Sequence, residues 1–324
     1  VNYLMLIIVS MVINYMVATQ IQKSEGTRAR LFLTVGVLLN VGLIGYFKYY
    51  DFFIENVNLV FGSSFALRHI LLPLGISFFT FQTISYTIDV YRNDAKVQKN
   101  IIHLATYVAL FPQLIAGPIV RYKDVNEQLS NRTHSFEKVY IGLQRFIIGL
   151  SKKVLIADTL GGLARTLMGL EEKSVVMYWV YAVAIALQLY FDFSGYSDMA
   201  VGLGKMLGFE FCMNFNYPYT ATSIQDFWRR WHISLSTWFR EYVYIPLGGN
   251  RCTIPRHIFN LFAVWALTGL WHGASYNFVI WGVFYFVLLT GEKYVYGKAL
   301  AKLPVIAQRV YTLFFVGIGW LIFE

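Results

Sequence analysis

Residues 258–290 read IFNLFAVWALTGLWHGASYNFVIWGVFYFVLLT, two apolar runs joined by Trp271-His272-Gly273, with His272 the only side chain in the stretch that titrates near neutral pH. Each run, Ile258 to Leu270 and Phe278 to Thr290, falls short of the roughly twenty residues that cross a bilayer core of about 30 Å. The pair is therefore tilted, broken, or joined through Trp271-His272-Gly273. Irregular backbone at membrane depth demands protein or a water-filled cavity around it. An ionisable residue there is a functional candidate, although an imidazole bonded to a backbone carbonyl and packed on Trp271 would satisfy the same sequence. Neutral imidazole, with a pKa of about 6.5, is well placed to take a proton from an alcohol.

The rest of the chain fits that setting. It is 57% hydrophobic and 14% charged, with a mean hydropathy of +0.51, and further apolar runs cover Val1 to Gln20, Leu31 to Tyr50, Ile70 to Val90, Val175 to Ser194 and Leu313 to Phe323. The class is an all-α integral membrane protein. The first run lacks a basic start and a small-residue cleavage pattern, so it reads as a span and not a signal peptide. The chain begins at Val1 and stops at Glu324 directly after an apolar run, and both ends read as trimmed from a longer protein. No soluble domain is visible, and residues 1–324 are expected to form a single membrane-embedded domain.

The net charge of +9 is spread over short loops between the runs. That pattern follows the positive-inside rule and excludes a nucleic-acid-binding stripe. Lys23, Arg28 and Arg30 place the first loop on the cytoplasmic side, and residues 51–69, with Asp51 and Glu55, outside. Residues 92–99 and 121–138 are both basic, yet the apolar segment Ile101 to Val120 lies between them. A segment whose ends share a side does not cross, and Pro112, Gly117 and Pro118 interrupt helical bonding. This predicts a re-entrant hairpin lining a cavity, with a kinked ordinary span as the alternative.

Two stretches read as amphipathic helices. In the first, Tyr140, Leu143, Ile147, Leu150 and Val154 share a face away from Gln144, Lys152 and Lys153. In the second, Trp228, Trp231, Leu235, Trp238 and Tyr242 share a face, with Arg229, Arg230 and Arg240 off it, ended by Pro246 and Gly248-Gly249; the pattern predicts a helix at headgroup level. His232 sits beside that tryptophan face, and its contact with His272 is not legible from a separation of this length. His69, His103, His134 and His257 lie at loops or segment edges and read as solvated or interfacial.

The stretch Phe191-Asp192-Phe193-Ser194-Gly195-Tyr196-Ser197-Asp198 carries carboxylates at the end of an apolar run, where they need partners. A structural clamp to nearby cations is the preferred reading over orientation of a histidine or hydroxyl. Gly195, Gly202, Gly204 and Gly208 suit close helix approach. Cys212 and Cys252 lack redox or metal spacing, no histidine pair has zinc-ligand spacing, and neither a G-x-S-x-G elbow nor a phosphate-binding glycine loop is present. No metal is expected.

Taken in order, ILLPLGISFFTFQTISYTIDVYR (70–92), LFPQLIAGPIVRYKDV (110–125), QLYFDFSGYSDMAVGLG (188–204), SIQDFWRRWHISLSTWFREYVYIPLGGNR (223–251) and GLWHGA (269–274) resemble the membrane-bound O-acyltransferase (MBOAT) family across nearly the whole chain. Within it they are similar to the bacterial branch that acetylates alginate and peptidoglycan. The teichoic acid D-alanyltransferase branch differs more, notably around LGGNR.

The resemblance implies a multi-helix core with broken or re-entrant helices around a central cavity. It places His272 at the family's invariant histidine and His232 at the second histidine position, so both are the expected catalytic residues. It further implies a cytoplasmic thioester donor, acetyl-CoA or another acyl thioester, with no tightly bound cofactor. Acetyl would pass to an extracytoplasmic polysaccharide or peptidoglycan acceptor through a partner acetyltransferase, in a multi-pass protein of the bacterial cytoplasmic (inner) membrane. His272 would act as general base or as transient acyl carrier. D-alanyl transfer in teichoic acid modification and a transporter or channel for the acyl donor, with His272 as a gate, are the alternatives.

Overall fold

The computed structural model describes residues 2–114 and 117–324, the Asn2 side chain excepted. The described residues form helices and no strands: α1 (Asn2–Gln22), α2 (Gly26–Phe61), α3 (Ile76–Tyr91), α4 (Ile101–Ala109), α5 (Phe111–Leu114), α6 (Tyr122–Asn131), α7 (Phe136–Ser151), α8 (Asp158–Gly169), α9 (Val175–Met206), α10 (Ile224–Arg230), α11 (Ile233–Phe239), α12 (Ile254–His272), α13 (Tyr276–Gly291), α14 (Gly297–Leu300) and α15 (Val305–Phe323). π-helical turns at Lys152–Ala157, Arg240–Tyr244 and Glu292–Tyr296 continue α7, α11 and α13. α1, α2, α9, α13 with its continuation, and α15 are each long and apolar enough to cross a membrane. The chain is a multi-pass membrane protein. It divides into two compact units, Val1–Ser135 with Leu207–Phe211, and Phe136–Met206 with Cys212–Glu324.

In the first unit α1, α2 and α3 enclose a polar network. Asn14 and Asn40 exchange amide hydrogen bonds of 3.3 and 2.7 Å, and the Thr83 and Thr87 hydroxyls donate to Asn40 Oδ1 (2.9 Å) and Asn14 Oδ1 (3.4 Å). Such interhelical bonds hold helices together where lipid supplies no hydrophobic drive. α2 outruns its apolar stretch: its 36 residues span about 54 Å at 1.5 Å per residue. Asp51 and Glu55, expected in an external loop, lie on its last turns, where the Asp51 carboxylate accepts the backbone N–H of Arg68 (2.7 Å) and Ile70 (3.1 Å). The expected span over residues 70–90 is also revised. Pro73 precedes the start of α3, and at Gly75 (φ +74°) a β-carbon would lie 2.6 Å from the Leu114 carbonyl oxygen. α3 is thus a short helix, buried along most of its length.

The segment 101–120 is broken. α4 has nine residues, about 13 Å of helix, too little to cross. The Tyr107 hydroxyl donates to the Val120 carbonyl at 2.9 Å, so the outgoing and returning limbs meet, as a reversal requires and a kinked span does not. Ile115 and Ala116, within the expected hairpin, lie outside the described residues.

In the second unit α7 and α9 pack antiparallel through paired glycines. A β-carbon at Gly202 would lie 2.5 Å from the Gly142 carbonyl oxygen, and one at Gly195 2.7 Å from that of Gly149. The carboxylates of α9 form the expected clamp: Asp198 accepts from Arg145 (3.0 Å) and Lys152 (2.6 Å), and Lys153 bridges Asp192 (2.6 Å) and Asp158 (2.8 Å). α12 and α13 form a second antiparallel pair, where a β-carbon at Gly282 would lie 2.5 Å from the Trp265 carbonyl oxygen. The two short runs are not joined through Trp271-His272-Gly273: α12 ends at His272, the chain turns into α13 at Tyr276, and α13 with its continuation is longer than the apolar run suggested. Around these pairs lies an aromatic core that includes Trp228, Trp231, Trp281, Tyr285 and Trp320.

Candidate active site

The tryptophan-rich stretch is two short helices and not one. α10 starts at Ser223, whose hydroxyl accepts the Asp226 N–H at 3.0 Å, and the Glu292 carboxylate accepts the N–H groups of Ile224 (2.6 Å) and Gln225 (3.0 Å). A carboxylate at a helix N-terminus satisfies donors that have no partner within the helix. The helix stops at Trp231, and His232 adopts a left-handed conformation, φ +43°, ψ +54°. For a non-glycine residue this costs about 1–2 kcal/mol and persists only where neighbours impose it.

The neighbours are in the irregular segment 212–217. The Asn216 N–H donates to the Arg230 carbonyl (2.9 Å) and the Ile233 N–H to the Asn214 carbonyl (3.0 Å). The Asn214 side-chain oxygen accepts from the Ser234 N–H (3.2 Å) and hydroxyl (2.9 Å) and lies 3.0 Å from His232 Nδ1. The helix at headgroup level is therefore corrected: Trp228, Trp231, Leu235, Trp238 and Tyr242 are all buried. Apolar spacing survives the break because both helices turn the same face to the core.

His232 is 2% exposed. Its ring meets Phe193 edge-on at 4.7 Å and lies 6.1 Å from the Trp271 ring. Trp271 in turn is 5.0 Å from the His272 ring, so one indole bridges the two histidines that the sequence could not connect. Burial, with a smaller contribution from the neighbouring His272, pushes the His232 imidazole well below its ordinary range. His272 ends α12 against Trp281 (5.0 Å), Phe323 (5.0 Å) and Phe278 (6.2 Å).

Beside this pair, in the same unit, lies a cavity of about 960 Å³, at the upper end of the range for small-molecule sites. Neither histidine lines it, but Ile233, next to His232, and Thr268, one turn before His272, do. Its apolar wall includes Trp228, Val264 and Trp265, and its cations are Arg229, Arg240, Lys293 and Lys298. His257 also lines it and is buried, not solvated as its position at a segment edge implied: Tyr244 and Lys293 lie 2.7 and 3.2 Å from Nε2, and Tyr294 2.7 Å from Nδ1.

Sequence reasoning missed Asn214 and Glu292. Asn214 stands among aromatics in Phe211-Cys212-Met213-Asn214-Phe215-Asn216-Tyr217 with no periodicity. Glu292 offered a usable signal, a carboxylate ending an apolar run that must find donors.

A multi-pass helical protein with two histidines brought together by broken helices, beside a cation-lined cavity, is the class that fold and site define. The chain belongs to the membrane-bound O-acyltransferase family, whose model matches residues 91–322. Over its full length it is 46% identical to a protein of Pseudomonas aeruginosa named a probable alginate O-acetylase, of which it covers 64%. It is 38% identical over its full length to the peptidoglycan O-acetyltransferase of Helicobacter pylori, covering 68% of that protein. To the teichoic acid D-alanyltransferase of Bacillus subtilis it is 29% identical over 78% of its length. The chain thus spans about two thirds of the length of these curated relatives.

Proposed function

We propose that this chain is the membrane core of an O-acetyltransferase of the bacterial cytoplasmic membrane, passing acetyl from a cytoplasmic thioester donor towards a hydroxyl of an extracytoplasmic polysaccharide or peptidoglycan, with a partner transferase completing delivery. The observation that carries this reading is the His232–Trp271–His272 arrangement beside a cavity whose cations suit a phosphate-bearing thioester. The names of its relatives support an acetyl group and a cell-surface acceptor.

His272 acts as general base. It takes the hydroxyl proton as the hydroxyl oxygen attacks the thioester carbonyl carbon; the C–S bond breaks, and the departing thiolate takes that proton and leaves as the thiol. Ester and thiol balance alcohol and thioester, and no metal or redox partner is required.

The test is incubation of the purified protein with radiolabelled acetyl-CoA, wild type against His272→Ala. Thioester turnover in the wild type and a loss of about 10²–10⁴-fold in a folded variant is the expected result. Retained turnover in the variant would remove His272 from the chemistry. Turnover in the wild type with an acetylated acyl carrier protein but not with acetyl-CoA would replace the donor.

A further inference from the structure

The tautomer of His232 follows from Asn214. Amide oxygen and nitrogen can be interchanged when a side chain is placed by shape alone, but here the atom facing His232 also faces the backbone N–H of Ser234 at 3.2 Å. A backbone N–H only donates, so that atom must be the oxygen. An amide oxygen only accepts, so His232 Nδ1, 3.0 Å away, bonds to it only if Nδ1 carries the proton. A neutral imidazole protonated at Nδ1 has a bare lone pair at Nε2. His232 Nε2 is buried and without a hydrogen-bond partner among the described residues, whereas buried polar atoms are nearly always bonded.

We propose that Asn214 is a positioning residue that locks His232 in the Nδ1–H tautomer, so that His232 presents Nε2 to the reaction as an acceptor of hydrogen bonds and protons, and not as a donor to the thioester oxygen. The role in the reaction rests on the acyl-transfer reading above; the tautomer does not.

The groups that face the His232 ring are Phe193 from α9 and Trp271 and His272 from α12, with Asn214 and Ser234 on the Nδ1 side. Among them His272 is the one that titrates. A neutral amide behind Nδ1 orients the ring without holding a positive charge on it, as a carboxylate in the same place would. A proton that reaches Nε2 is therefore passed on readily. His232 and His272 become unequal partners, one fixed by an amide and the other set in an aromatic cage.

Two measurements test this. Nitrogen-15 NMR of protein labelled at histidine, with His232 assigned by difference from His232→Gln, reads the tautomer without reference to activity. The expected result is a protonated Nδ1 and a bare Nε2 between about pH 6 and pH 8; the opposite tautomer, or an imidazolium near neutrality, would overturn the proposal. Asn214→Asp keeps an oxygen acceptor for Ser234 and places a carboxylate behind Nδ1, which raises the pKa of His232. Because a base works only when neutral, the acid limb of the acetyl-transfer pH profile should move up by about one unit or more, with KM for acetyl-CoA within about twofold. A folded Asn214→Asp protein with an unmoved profile would reduce Asn214 to a structural pin.

Discussion

α7 and the α10–α11 stretch carry the same kind of apolar periodicity and use it in opposite directions. On α7 and its π-helical continuation, Tyr140, Leu143, Ile147, Leu150 and Val154 are exposed, while Gly142 and Gly149 are buried against α9. On α10 and α11 the periodic face is the buried one. The difference lies on the opposite faces. Glycines let a backbone approach another backbone, so a helix with small residues opposite its apolar face can turn that face to lipid. Arginines without a carboxylate on a facing helix need water or a polar cavity, so a stretch with Arg229, Arg230 and Arg240 off its tryptophan face buries the tryptophans, and Arg229 and Arg240 line the cavity. In a membrane protein the apolar face alone does not say where the protein is; its complement does.

The comparison breaks most readily at Trp231, which packs within 4.6 Å of Trp320, 5.0 Å of Phe215 and 5.6 Å of Phe227 by ring centroid. Trp231→Ala should cost about 3–5 kcal/mol of stability, read as a fall in the thermal unfolding midpoint in detergent; a change near zero would mean that the tryptophan face lies outside the core. Gly202→Val is the next in size. The added side chain starts 2.5 Å from the Gly142 carbonyl oxygen, so about 1–3 kcal/mol of strain is expected. An unchanged midpoint would separate α7 from α9. Ile147→Ala should be the mildest, within about 0.5 kcal/mol, because the side chain is exposed. A loss of about 2–5 kcal/mol, the ordinary cost of emptying a core position, would show that α7 buries its apolar face after all.

The same contrast marks what the sequence could tell. Apolar runs located the long helices, but the lengths of the two runs around Trp271-His272-Gly273 misled, because the second helix runs on through its π-helical continuation to a length that can cross a membrane. The carboxylates of α9 announced a clamp because charge at the end of an apolar run must be partnered. The break at His232 was hidden. Its cause is Asn214, eighteen residues upstream, and a spacing of three and four passes through a left-handed residue without losing its face. The limits of α3 were hidden as well, since Gly75 is required by the Leu114 carbonyl, a contact that no local pattern encodes.

The central claim is that His232 and His272 work as one site. The most direct measurement is acetyl transfer from radiolabelled acetyl-CoA by His272→Ala, His232→Ala and the double variant, each confirmed as folded. Groups that act as a unit are strongly non-additive, so the double variant should lose no more than about twofold beyond His272→Ala alone. A double variant whose loss equals the product of the two single losses would mean that the histidines contribute independently, and an active His272→Ala protein would contradict the account outright.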